Sequence, residues 1–131
     1  MALNQAVVIA EDDSDILEIL SAILQGADFK VYSAADGIAA FDIVQKQKDV
    51  VLLITDIIMP EGEGLELIRK TRGFRGEIKI IAVSGGGIGD KSTYLELAKR
   101  LGADDCIEKP FDSKTVLETV QRVMARPSKV K

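Results

Sequence analysis

Histidine is absent from all 131 residues. Without an imidazole the chain can build neither a Ser-His-Asp triad nor a histidine-ligated metal site, and any histidine in its chemistry must come from a partner. Cysteine occurs once, at Cys106, so an internal disulfide and the usual zinc clusters are excluded, as fits a reducing compartment. Long apolar runs are missing too. No stretch reaches the length of a membrane span, and Met1-Ala2-Leu3-Asn4 lacks the charged start and apolar run of a signal peptide. The expectation is a cytoplasmic protein with no membrane partner. Positive charge is also in deficit, with 17 Lys and Arg against 21 Asp and Glu and a net charge of -4. No basic stripe appears apart from Lys129-Val130-Lys131, which argues against nucleic acid as a partner.

What is present is alternation. Short apolar runs rich in β-branched residues alternate with longer stretches of helical period, the signature of βαβ units and a parallel sheet, hence an α/β fold. Five strands are expected at Val7 to Ala10, Lys30 to Ser33, Val50 to Thr55, Lys79 to Val83 and Asp105 to Ile107. The first helix, about Ser14 to Gln25, turns Ile16, Ile19, Leu20, Ile23 and Leu24 to one face, and Asp15 with Glu18 could form a capping box. The second, about Asp36 to Lys46, offers Ala40, Phe41 and Val44, and the third, about Gly64 to Thr71, offers Leu67 and Ile68. The fourth carries Tyr94, Leu97, Ala98 and Leu101 and stops at Gly102. The fifth, about Ser113 to Ala125, carries Val116, Leu117, Val120, Val123 and Met124 and ends before Pro127. The length suits one domain over residues 1–131, with a core at about 6–125 and a short tail at 126–131.

Polar residues punctuate the strand ends. Glu11, Asp12 and Asp13 close the first apolar run, and Asp56 closes the third just ahead of Met59-Pro60. If these strands are neighbours, their C-terminal ends lie side by side, where open α/β sheets bind ligands. Carboxylates packed that closely raise one another's pKa unless a cation sits among them, which calls for a hard divalent ion such as Mg²⁺. The plainer reading is that Asp12 and Asp13 cap the next helix and Asp56 starts a turn. Ser84 and Lys109 fall at the ends of the fourth and fifth strands, so an acid cluster, an acid, a hydroxyl and an ammonium reach one edge.

In this arrangement the sequence closely resembles the receiver domain of two-component response regulators, over about Val7 to Met124. The motifs that carry the likeness are Ala10-Glu11-Asp12-Asp13, Thr55-Asp56-Ile57-Ile58-Met59-Pro60, Ala82-Val83-Ser84-Gly85 and Leu101-Gly102-Ala103-Asp104-Asp105-Cys106-Ile107-Glu108-Lys109-Pro110-Phe111. The resemblance implies a doubly wound, flavodoxin-like parallel sheet in the order 2-1-3-4-5, with helices on both faces. It implies Asp56 as phosphoacceptor, taking a phosphoryl group from a histidine kinase or histidine phosphotransfer protein. It also implies Mg²⁺ held directly by Asp12, Asp56 and the Ile58 carbonyl, with Glu11 acting through water. Lys109 and Ser84 would contact the phosphoryl oxygens, aided by backbone amides near Ile57 and Gly85, and the Lys109-Pro110 bond would be cis. Family spacing leaves Asp13 as a helix cap. The implied role is a signalling receiver that acts alone and relays its state to an unknown downstream protein, and is not an enzyme in its own right.

Two departures stand out. Cys106 occupies the place of the family's usual aromatic, and a small apolar thiol fits core filling better than redox sensing. The connection Ser84-Gly85-Gly86-Gly87-Ile88-Gly89-Asp90-Lys91-Ser92-Thr93 is about three residues longer than the family's usual one, and its glycines suggest that loop closure carries the switch. Gly86 and Ile58 would flank the path of attacking water. As rivals, a nucleotide-binding loop fails because Asp90 interrupts Gly-Lys-Ser. A hydrolase of the haloacid-dehalogenase type lacks its second acid, since Ile58 stands there. A phosphorylation-independent, receiver-like binding module is the remaining alternative.

Overall fold

The computed structural model describes residues 5–59, 64–85 and 91–127, with backbone alone for 91–94. Strand and helix alternate: β1 (Ala6–Ala10), α1 (Ser14–Gly26), β2 (Lys30–Ala34), α2 (Gly37–Lys46), β3 (Val50–Asp56), α3 (Gly64–Phe74), β4 (Lys79–Ser84), α4 (Lys91–Leu101), β5 (Asp105–Glu108) and α5 (Ser113–Ala125). The strands form one parallel sheet in the order β2-β1-β3-β4-β5, the order that the family resemblance implied.

Alternation along the strands sorts the core into two layers. In β1, Ala6, Val8 and Ala10 face one cluster, together with Ala40 and Val44 of α2, Leu67 and Ile68 of α3, and Ala98 of α4. Val7 and Ile9 face the other, with Leu20 and Leu24 of α1 and Val116, Val120 and Val123 of α5. Successive side chains point to opposite faces, and both faces are covered by helices, so β1 and β4 are buried along their whole length. Each fully buried aliphatic contributes on the order of 1.5–3 kcal/mol.

Helix starts are set by aspartates. The Asp13 carboxylate accepts the amides of Asp15 and Ile16 at 2.9 and 3.2 Å, Asp36 that of Ala39 at 2.8 Å, and Asp112 that of Thr115 at 2.8 Å. Asp13 is therefore the cap of α1, and the expected Asp15–Glu18 capping box gives way to it because Asp13 stands at the extended residue before the first turn. Gly102 sits at φ 130°, and a Cβ there would lie 2.9 Å from Arg72 Nε, so glycine is required on both counts.

The observed strands run one residue further than expected at one end or the other, and α3 continues to Phe74. Ile19 and Leu97 are not core residues: they are 53% and 39% exposed. Ile19 lies on a groove that no other described element covers. The inward stripe of α4 runs through Leu95, Ala98 and Leu101, every third residue, which leaves Leu97 to one side. The Tyr94 side chain lies outside the described residues.

Candidate functional site

Parallel pairing puts the C-terminal ends of β1, β3, β4 and β5 on one edge, and the register matches Ala10 with Thr55, Asp56 with Val83, and Ser84 with Glu108. The residues that follow or close these strands are those singled out from the sequence. Glu11, Asp12 and Asp56 come together there, each offering a carboxylate oxygen within 4.8 Å of the others. Glu11 and Asp56 are buried and Asp12 is exposed.

Lys109 enters from the far end of β5. Its Nζ lies 3.2 Å from Asp56 Oδ2, to which it donates, and 3.1 Å from Glu11 Oε1. The Lys109-Pro110 bond is cis, as the family resemblance implied, and the Lys109 amide donates to the Ser84 carbonyl at 2.8 Å. The Glu11 contact is an ion pair without hydrogen-bond alignment, since Oε1 is buried with no hydrogen-bond partner among the described residues. The other oxygen, Oε2, accepts the Asp13 amide at 3.1 Å.

Burial and the charge of Asp56 push the Glu11 carboxyl above its ordinary value, against the Asp13 amide and Lys109, which pull it down. Lys109 is lowered by burial, but its contact with Glu11 and the charges of Asp56 and Glu11 outweigh that, so its ammonium is held charged. A buried carboxylate oxygen with spare acceptor capacity, facing two further carboxylates, is a fitting donor set for a hard cation.

Ser84 is buried at the end of β4, and its Oγ donates weakly to the Gly85 carbonyl at 3.4 Å. Ile58 is exposed two residues beyond Asp56. Of the backbone amides near Ile57, that of Ile57 itself donates to the Val83 carbonyl at 3.0 Å and extends the β3–β4 ladder. The glycine loop from Gly86 to Asp90, and the switching and water-path readings placed on it, lie outside the described residues. Cys106 is half-buried against the α2–α3–α4 layer, and burial pushes its thiol up, which suits packing and not a reactive thiolate.

Sequence reasoning assigned no role to Gly64. A Cβ there would lie 1.8 Å from the Asp56 carbonyl oxygen and 2.7 Å from Ile57 Cα, so the first turn of α3 rests directly on the backbone that carries the acceptor. The only sequence signal for it is a glycine where a helix begins. Sequence reasoning likewise did not foresee the groove of about 370 Å³ beside the site, lined by Ile16, Ile19, Lys109, Pro110 and Phe111.

The sequence model of the response regulator receiver domain family matches residues 7–121, and the chain belongs to that family. It is similar to the response regulator GtcR of Aneurinibacillus migulanus, with 33% identity over 95% of this chain and 48% of that protein. It is also similar to a CpxR homologue of Haemophilus influenzae, with 29% identity over 91% of this chain and 50% of that protein. The chain thus spans about half the length of these curated relatives. Among solved structures, a CheY-like receiver domain protein from Methanospirillum hungatei superposes with a TM-score of 0.80 at 28% identity, covering 90% of this chain and 91% of that one. A response regulator from Chloroflexus aurantiacus gives 0.83 at 27% identity, covering 93% and 98%. The class defined by fold and site is thus the receiver domain of response regulators, and no helix among the described residues is long and apolar enough to cross a membrane.

Proposed function

We propose that Asp56 is the residue that receives the phosphoryl group, from a phosphohistidine on a histidine kinase or histidine phosphotransfer protein. The observation that carries this reading is Lys109 Nζ bridging Glu11 and Asp56 inside a cluster of three carboxylates. An Asp56 carboxylate oxygen attacks phosphorus, the phosphorus–nitrogen bond of the donor breaks, and the imidazole leaves with its electron pair, giving an acyl phosphate. The carboxylate is its own nucleophile, so the residues around it have charge to neutralise and atoms to align but no proton to remove from Asp56.

Lys109 supplies one positive charge, and moving its ammonium from the Asp56 oxygen to a phosphoryl oxygen requires little displacement at the distances seen. Ser84 supplies a hydroxyl. Asp12, Asp56 and the Ile58 carbonyl would hold Mg²⁺ directly and Glu11 through water, a set supported by the spare acceptor capacity of Glu11 Oε1 and the mutual spacing of the carboxylates. When bound, Mg²⁺ neutralises charge shared between the acceptor and the phosphoryl oxygens.

The donor's docking surface follows from the same geometry. The chain holds no histidine, and the groove between α1 and the β5–α5 connection includes the lysine that touches Asp56, flanked by Ile16, Ile19, Pro110 and Phe111. A helix presenting its phosphohistidine beside apolar side chains fits this combination of an apolar wall and a cationic end. In this reading residues 1–131 form one cytoplasmic receiver domain. It signals through a changed surface for a downstream protein, binds neither nucleic acid nor membrane, and catalyses only its own phosphorylation and dephosphorylation. No observation favours the phosphorylation-independent alternative.

The test is incubation with acetyl phosphate, with and without Mg²⁺, read by intact mass. We expect one added phosphoryl group that depends on Mg²⁺ and is missing from Asp56→Asn. Labelling that persists in the variant rejects Asp56 as the acceptor.

A further inference from the structure

At the pole of the sheet opposite the acid site, β4 begins with a buried lysine. Lys79 is 8% exposed, and among the described residues its ammonium has no carboxylate partner. It donates instead to two main-chain carbonyls, those of Arg126 at 2.7 Å and Pro127 at 2.9 Å, which lie 47 and 48 residues further along the chain. Both carbonyls follow the last turn of α5, where Arg126 leaves the helix with φ -75° and ψ 149°. Helix C-termini carry partial negative charge and carbonyls without intrahelical partners, so a desolvated ammonium finds compensation there without a counter-ion.

A second set of contacts holds the same point from another strand. Arg126 donates to the Asp104 carbonyl at 2.6 Å and to Asp105 Oδ2 at 3.2 Å, and Arg122 pairs with the same Asp105 carboxylate at 3.1 Å. The residues that leave α5 are therefore gripped through their carbonyls by β4 and through a side chain by the start of β5. Ordinary helix ends need no such arrangement, because surface carbonyls are satisfied by water.

We infer that Lys79 is a latch that fixes the direction in which the polypeptide leaves α5. The backbone at Arg126 and Pro127 is then set relative to the sheet. One strand carries both this latch and, at its other end, Ser84 of the acid site.

The latch is tested with a nitroxide spin label on Ser128→Cys in a Cys106→Ser background, in chains with Lys79 or with Lys79→Met, which keeps the aliphatic bulk and removes the donors. We expect a restricted label with Lys79 and a freely mobile one with Lys79→Met. Amide exchange at Arg126 should rise about tenfold or more, the factor that a hydrogen bond to a charged group is worth. Acetyl phosphate labelling at the opposite pole should stay unchanged, which also shows that the variant is folded. If Lys79→Met does not fold, Arg126→Gln, altered at an exposed side chain, opens the second grip alone and should mobilise the label in part. A label already mobile with Lys79, or equally restricted in the folded variants, overturns the latch.

Discussion

Replacing Lys109 by Met removes the only cation that touches both buried carboxylates of the acid cluster among the described residues. At about 3.1 Å and an effective dielectric near 20, each contact is a gross attraction of roughly 5 kcal/mol, most of which offsets the cost of desolvating the charges. The net cost of leaving Glu11 and Asp56 facing one another is at the lower end of the range for broken buried pairs, about 3 kcal/mol, because the Lys109 side chain is itself 18% exposed. Mg²⁺ should stabilise the two proteins to different extents. In the wild type it competes with a resident ammonium for the same oxygens, whereas in Lys109→Met it meets uncompensated charge, so it should bind the variant about tenfold or more tightly, a difference of about 1.4 kcal/mol. Urea unfolding with EDTA and then with saturating Mg²⁺ reads both effects. A variant that loses less than about 1 kcal/mol in EDTA, or that gains no more from Mg²⁺ than the wild type, refutes the description of Lys109 as the cluster's resident cation.

Arg72 donates to the carbonyls of Gly102, Gly76 and Ile78 and to Asp104 Oδ2 at 2.9 Å, tying α3 to the α3–β4 connection and the α4–β5 turn. Arg72→Met should cost about 3–5 kcal/mol in urea unfolding, and Arg72→Lys should recover only part of it, since an ammonium cannot reproduce the guanidinium fork. The Thr71 hydroxyl is buried without a hydrogen-bond partner among the described residues, so Thr71→Val should raise stability by about 1 kcal/mol, and a loss of stability would show that the hydroxyl is satisfied. Burial raises the Asp105 carboxyl, but the Cys106 amide, Arg122 and Arg126 outweigh it and hold it below its ordinary 3.8. Its contribution is therefore present above that value and lost as the pH falls through the lowered native one. Asp105→Asn should flatten the stability decline in thermal unfolding between about pH 2 and 5, and an unaltered slope would contradict the assignment.

The architecture was legible because the chain repeats one physical pattern. Apolar β-branched runs bury on both faces, and polar residues mark where each strand meets solvent, so Glu11, Asp12, Asp56, Ser84 and Lys109 could all be placed on one edge before any coordinates were considered. Less legible was anything that depends on how elements pack together. Ile19 follows the helical period as well as Leu20 does, and nothing local says that its side of α1 faces an open groove. Lys79 reads as an ordinary charged residue opening a strand, since its carbonyl partners are 47 and 48 residues away. Gly64 looks like any helix-start glycine until the Asp56 carbonyl is found where its Cβ would be. The resemblance pointed to backbone amides near Ile57 without saying which of them the sheet already uses. The ladder continues to Val83, which takes the Ile57 donor.

Whether Asp56 carries the phosphoryl group is tested most directly by locating that group chemically. The protein is phosphorylated with acetyl phosphate and Mg²⁺, reduced with borohydride, which converts an aspartyl phosphate to homoserine, and sequenced by peptide mass spectrometry. Homoserine at position 56, and at no other aspartate, is the predicted result. Homoserine at Asp12 or Asp13, or none anywhere after the intact mass has shown an adduct, would contradict the account.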